Sequence, residues 1–104
     1  METYDELQKE LDKCEQAFAK ELQKLNLKEA WVAIGREEVN APEDALGFLC
    51  LIMIKFDGIE IIRQLNKLQY FIEQTQPLNK EKLLTKLAAF KSACIDFYRA
   101  QLFL

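Results

Sequence analysis

The fold is decided by the stretch ALGFLCLIMIKF at residues 45–56, in which only Gly47 and Lys55 are not apolar. Pro42 and the acidic residues that follow it are typical of the first turn of a helix. A helix that is apolar on every face must be covered on all sides. The uncharged part, residues 45–54, is only about half as long as a membrane-spanning helix needs to be. We therefore expect a core helix of a globular domain.

Asp57 and Gly58, directly after this stretch, leave two interpretations open. Asp-Gly between apolar runs is a strong signal for a β-hairpin, which would pair residues 49–56 with residues 59–65. Neither run alternates between polar and apolar residues, however, and Asp57 with Glu60 has the spacing of a capping box. Apolar residues at helical spacing then follow: Ile61, Leu65, Leu68 and Ile72. We expect a helix break at Asp57, with a hairpin at 49–65 and an α+β fold as the alternative.

The N-terminal part of the chain predicts a long helix. Thr3 and Glu6 have the spacing of a capping box, in which each side chain satisfies a free backbone N–H of the other. One apolar stripe at helical spacing follows: Tyr4, Leu7, Leu11, Cys14, Phe18, Leu22 and Leu25. Asn26 interrupts the stripe and forms a second possible cap with Glu29. We expect helix to about residue 38, with a break or kink near Asn26.

The last boundary lies at residues 76–79, Gln-Pro-Leu-Asn. Pro77 ends the preceding helix, and Asn79 is a good N-cap for the next one. Leu78 is placed to pack on Leu83 as a hydrophobic staple. The final helix carries a stripe with alternating spacings of four and three: Leu83, Leu87, Phe90, Cys94 and Phe97.

Three helical segments thus emerge, at about residues 3–38, 42–75 and 79–103, with the first two broken inside. Short connections make neighbouring helices antiparallel. We predict an all-α protein with one domain at 1–104, an antiparallel bundle of three long, internally broken helices or four shorter ones.

The net charge and the cysteines limit the classes of binding partner and the cellular compartment that we expect. The net charge of −3 argues against nucleic acid and anionic membranes, which require clustered basic residues. Residues 1–38 carry ten acidic and six basic residues, whereas residues 77–104 carry two acidic and five basic ones. We expect these oppositely charged ends to pair, with an acidic partner for the basic segment as the alternative. Cys14, Cys50 and Cys94 lie among apolar residues, without disulfide or zinc spacing. We expect buried thiols in a cytoplasmic protein.

The chain contains no histidine. Its absence excludes nucleophiles activated by histidine and metal sites with histidine ligands. Carboxylate, lysine and tyrosine chemistry stays open, but no set of residues forms a catalytic or cofactor signature. We expect no catalytic residue, no cofactor and no metal, and a protein that is not an enzyme. Acidic residues do cluster around one turn: Glu37, Glu38, Glu43 and Asp44. We interpret them as a solvated turn, with a cation site or a partner contact as alternatives.

The apolar stretch also bears on function, because a three-helix bundle covers only about half of each helix. A fourth helical piece, a second subunit or another protein would cover the remainder. The candidate contact residues are Trp31, Phe48, Leu51, Ile52, Phe56, Leu102, Phe103 and Leu104. Trp31 is expected to be a core or edge anchor, with a partner contact as the alternative.

The leading hypothesis is a non-enzymatic protein–protein interaction module. Such a module would be an adaptor, chaperone-like or regulatory bundle that associates with itself or with another protein through an apolar helix face. A small-molecule or ion-binding bundle is one alternative. The other is an inhibitor or immunity-type protein that presents an acidic face to a basic target.

Overall fold

In the computed structural model, which describes residues 3–102, the chain forms five α-helices and one short 3₁₀ turn. The helices are α1 Tyr4–Leu22, α2 Leu27–Ala33, α3 Ala45–Lys55, α4 Gly58–Thr75 and α5 Lys80–Gln101, and the 3₁₀ turn is Glu38–Asn40. Residues 3–102 contain no strand, so the all-α prediction is confirmed and the hairpin at 49–65 is wrong. Within the same residues, no helix combines the length and the apolarity needed to cross a membrane.

Side-chain caps explain the breaks inside the first two segments. Asn26 Oδ1 accepts a hydrogen bond from the backbone N–H of Glu29 at 3.2 Å and starts α2. Asp57 Oδ1 accepts one from Glu60 at 3.0 Å and starts α4. The backbone of Asp57 is extended, with φ −78° and ψ 177°, so Asp-Gly here begins a helix instead of turning a hairpin. The breaks predicted at Asn26 and Asp57 are confirmed.

The start of α5 differs from the sequence prediction. Asn79 is the N-cap residue, but its side chain makes no capping bond. Its Nδ2 group instead donates to the backbone carbonyl of Glu21, at 3.0 Å, and to that residue's Oε1, at 3.2 Å. Leu78 is fully exposed, so the predicted staple onto Leu83 is wrong. The hydrogen bonds from Asn79 to Glu21 hold this turn against α1, whereas the sequence indicated contacts within the turn itself.

The two long helices α1 and α5 pack antiparallel. The rings of Tyr4 and Phe97 lie 5.0 Å apart at one end, and Asn79 contacts the last turns of α1 at the other. Between them, Phe18 and Phe90 stack at 6.0 Å. The acidic N-terminal segment therefore does lie beside the basic C-terminal one.

Ion pairs do not join these two helices. The ion pairs formed within residues 3–102 are Lys24–Glu21 and Arg63–Glu60, both between residues one turn apart. Contact between α1 and α5 therefore rests chiefly on buried apolar side chains.

Helix α4 packs antiparallel along another side of α5. Gly58, the first residue of α4, lies against Tyr98 near the end of α5. Further along, Lys91 Nζ of α5 donates to Gln69 Oε1 at 2.7 Å and to Asn66 Oδ1 at 2.9 Å. The beginning of α4 and the end of α5 thus form one edge of the bundle.

Only one face of α3 is covered, which corrects the expectation that the stretch at 45–56 is enclosed on all sides. That face is buried against α1, α2 and α4: Ala45, Phe48, Leu49 and Ile52. On the opposite face Leu46 is 50% exposed and Ile54 is 73% exposed. This outer face stays exposed because α3 lies at the edge of the bundle.

The cysteines differ in burial, and all three are free. Cys94 is buried and Cys14 half-buried at the interface of α1 and α5. Cys50 lies on the outer face of α3 and is exposed, so its predicted burial is wrong.

Candidate functional site: an apolar groove between α4 and α5

An apolar groove of about 650 Å³ lies where the beginning of α4 meets the end of α5. We name it the α4–α5 groove. Its surface is almost wholly apolar and is formed chiefly by Ile59, Ile62, Ile95, Tyr98 and Leu102. Clefts of this volume and polarity are typical of binding sites in proteins.

The floor of the groove is formed by the close approach of α4 to α5. A Cβ atom at Gly58 would lie 3.1 Å from Cγ of Tyr98, closer than side chains normally pack. The absence of a side chain at Gly58 therefore lets the two helices meet here. Behind the floor, the Tyr98 ring packs edge-on against Phe97 at 5.5 Å, which connects the groove to the core.

The walls of the groove are exposed to solvent. Ile59 on α4 is 71% exposed, and on α5 Ile95 is 41% and Leu102 is 80% exposed. On each helix an arginine follows the isoleucine one turn later, Arg63 on α4 and Arg99 on α5. Because the helices are antiparallel, the two arginines stand on opposite walls and toward opposite ends.

The charged groups at the rim of the groove differ in their hydrogen-bond and ion-pair partners. The Asp57 carboxylate accepts the backbone N–H of Glu60 as the cap of α4. Arg63 Nη1 lies 2.6 Å from Glu60 Oε1 in an exposed ion pair. Arg99 forms no ion pair with an acidic side chain of residues 3–102. The rim of the groove therefore carries charges of both signs, two arginines and two carboxylates, around an apolar floor.

The groove holds no activated nucleophile among its described residues. Burial, together with nearby Cys94 and Glu15, raises the pKa of Tyr98 to about 12, so its hydroxyl stays protonated. The pKa of Cys94, behind the floor, is raised to about 12 by burial and by Glu15. A thiol with so high a pKa is inert. These side chains can pack and donate hydrogen bonds, but they are not poised for nucleophilic attack.

We expect Glu15→Gln to stabilise the protein at pH 7 by less than about 1 kcal/mol, because the half-buried carboxylate keeps part of its solvation. Burial, and secondarily Asp12, raises the pKa of Glu15 above its usual 4.5. The folded protein then binds this proton more tightly than the unfolded chain does, so stability falls as the pH rises from 4.5 through the folded-state pKa. Urea unfolding at pH 7 and pH 4 should show the gain only at pH 7.

The matched control is Glu10→Gln, which makes the same change at an exposed position of α1. A gain for Glu15→Gln that is equal at both pH values would contradict the proposed origin of the effect. So would the same pH-dependent gain in the control.

The predicted contact residues differ in how far they are buried. Trp31, Phe48 and Ile52 are at most 2% exposed, so they belong to the core and are not accessible to a partner. Leu51 and Phe56 are half-buried and packed against that core. Leu102 lines the α4–α5 groove, whereas Phe103 and Leu104 lie outside the described residues.

The acidic turn does not form an ion cage. Asp44 Oδ1 accepts the Gly47 N–H at 2.6 Å and caps α3, so helix capping accounts for it. Glu37, Glu38 and Glu43 are exposed. Nowhere in residues 3–102 do three cysteine, aspartate or glutamate side chains come close enough to hold a metal ion.

The sequence pattern indicates only part of the groove. Ile59 and Ile95 lie off the main buried stripes of their helices, whereas Tyr98 and Leu102 widen the stripe of α5, and stripes at helical spacing point to the core. The available signal was an isoleucine followed by an arginine one turn later, on both α4 and α5. It becomes meaningful only once the antiparallel pairing brings the two helix ends together.

The chain matches no protein-family model, no curated protein and no solved structure. The geometry of the groove therefore carries its interpretation.

Proposed function

We propose that the protein is a non-enzymatic protein–protein interaction module that holds a partner protein in the α4–α5 groove. The supporting observation is the exposure of Ile59, Ile95 and Leu102 around one apolar cleft. Exposed apolar surface costs about 25 cal/mol per Å² relative to burial. A cleft whose walls are exposed apolar side chains is a candidate interaction site on a protein surface.

The open walls favour a protein ligand over a small molecule. Sites for small molecules bury most of the ligand surface, as a rule about 70–90%. Ile59 and Leu102 keep 71% and 80% of their own surface exposed, so the groove does not enclose its occupant. A convex apolar surface such as the face of a helix fits an open groove.

A second copy of this chain is the alternative occupant, because in a two-fold dimer the same groove of both copies would meet.

This proposal corresponds to an adaptor, chaperone-like or regulatory role. Three free cysteines, one of them exposed, favour a reducing compartment such as the cytoplasm for that role.

The test compares the wild-type protein with the double variant Ile59→Ser/Leu102→Ser. Ile54→Ser is the matched control, because Ile54 is 73% exposed but does not line the groove. Each protein is immobilised and used to isolate partners from host extract, and the partner found is then purified and titrated calorimetrically. We expect one-to-one binding that the double variant weakens about 100-fold and the control leaves unchanged.

Several results would overturn the proposal. One is a purified partner that binds the double variant as tightly as the wild type. Another is the failure of every isolated protein to bind in the purified system. A dimer in sedimentation experiments that dissociates in the double variant would replace the partner with a second copy. Circular dichroism would establish that the variants are folded, as expected for changes at exposed positions.

A further inference from the structure

We draw no further inference here: the strongest candidate, the exposed outer face of α3 formed by Leu46, Cys50 and Ile54, is an unpartnered apolar surface, and nothing in the structure shows what covers it.

Discussion

Replacing Phe48 by alanine is expected to lower the free energy of unfolding by about 3–5 kcal/mol, the usual cost of truncating a buried phenylalanine. Phe48 is fully buried, and its ring meets that of Trp31 edge-on with centroids 5.0 Å apart. It therefore holds α3 to α2, and alanine would leave a cavity at that contact. Urea unfolding followed by circular dichroism measures the loss.

The control is Ile54→Ala on the opposite face of α3, where the side chain is 73% exposed. We expect it to change the free energy of unfolding by less than about 0.5 kcal/mol. Comparable losses at both positions would contradict the one-sided burial of α3. They would support instead the enclosure that its continuous apolar sequence suggests.

The contrast between Phe48 and Ile54 shows why the sequence predicts the buried face of some helices and not of α3. In α1 and α4, polar residues separate the apolar ones, and the stripes predicted there contain residues that are buried, such as Leu11, Phe18, Leu65 and Ile72. In α3 nearly every position is apolar, so the pattern contains no information about orientation. Its buried face is chosen by the neighbouring helices, which no local spacing reveals.

Helix boundaries show the same division between local and distant contacts. Thr3, Asn26 and Asp57 accept hydrogen bonds from residues three positions later, so the sequence alone locates these caps. Asn79 is also an N-cap residue and is the same amino acid as Asn26. Its side chain, however, binds Glu21, which lies 58 residues away. A competing partner from α1 replaced the local cap.

The candidate site depends still more on distant contacts. Ile59 and Ile95 lie on different helices, and each reads as an ordinary surface residue in its own sequence context. In the sequence Gly58 is only the residue after the capping Asp57, whereas in the fold its contact with Tyr98 joins the two walls. The groove could therefore be located only after the antiparallel packing of α4 and α5 was known.

A second large effect is expected at Trp31, where alanine should lower the free energy of unfolding by about 3–5 kcal/mol. The side chain is 2% exposed and packs on Phe48, and the Arg36 guanidinium lies 5.1 Å from the centre of its ring. Arg36 also lies 5.4 Å from the ring centre of Phe56, so it connects the two aromatic residues. Alanine would remove the edge-on contact and the cation–π contact together.

Trp31→Phe is the informative companion variant, because it keeps an aromatic ring for Arg36 and Phe48. The buried Nε1 of Trp31 has no hydrogen-bond partner among the described residues, so removing it relieves an unpaired donor. This relief offsets part of the lost volume, and we expect phenylalanine to cost less than about 1.5 kcal/mol. Urea unfolding followed by circular dichroism suits both variants, since each lacks the only tryptophan. A phenylalanine variant as unstable as the alanine variant would instead assign a structural bond to the indole N–H. Loss of partner binding in a stably folded Trp31→Phe would restore Trp31 as a contact residue, against its burial in the core.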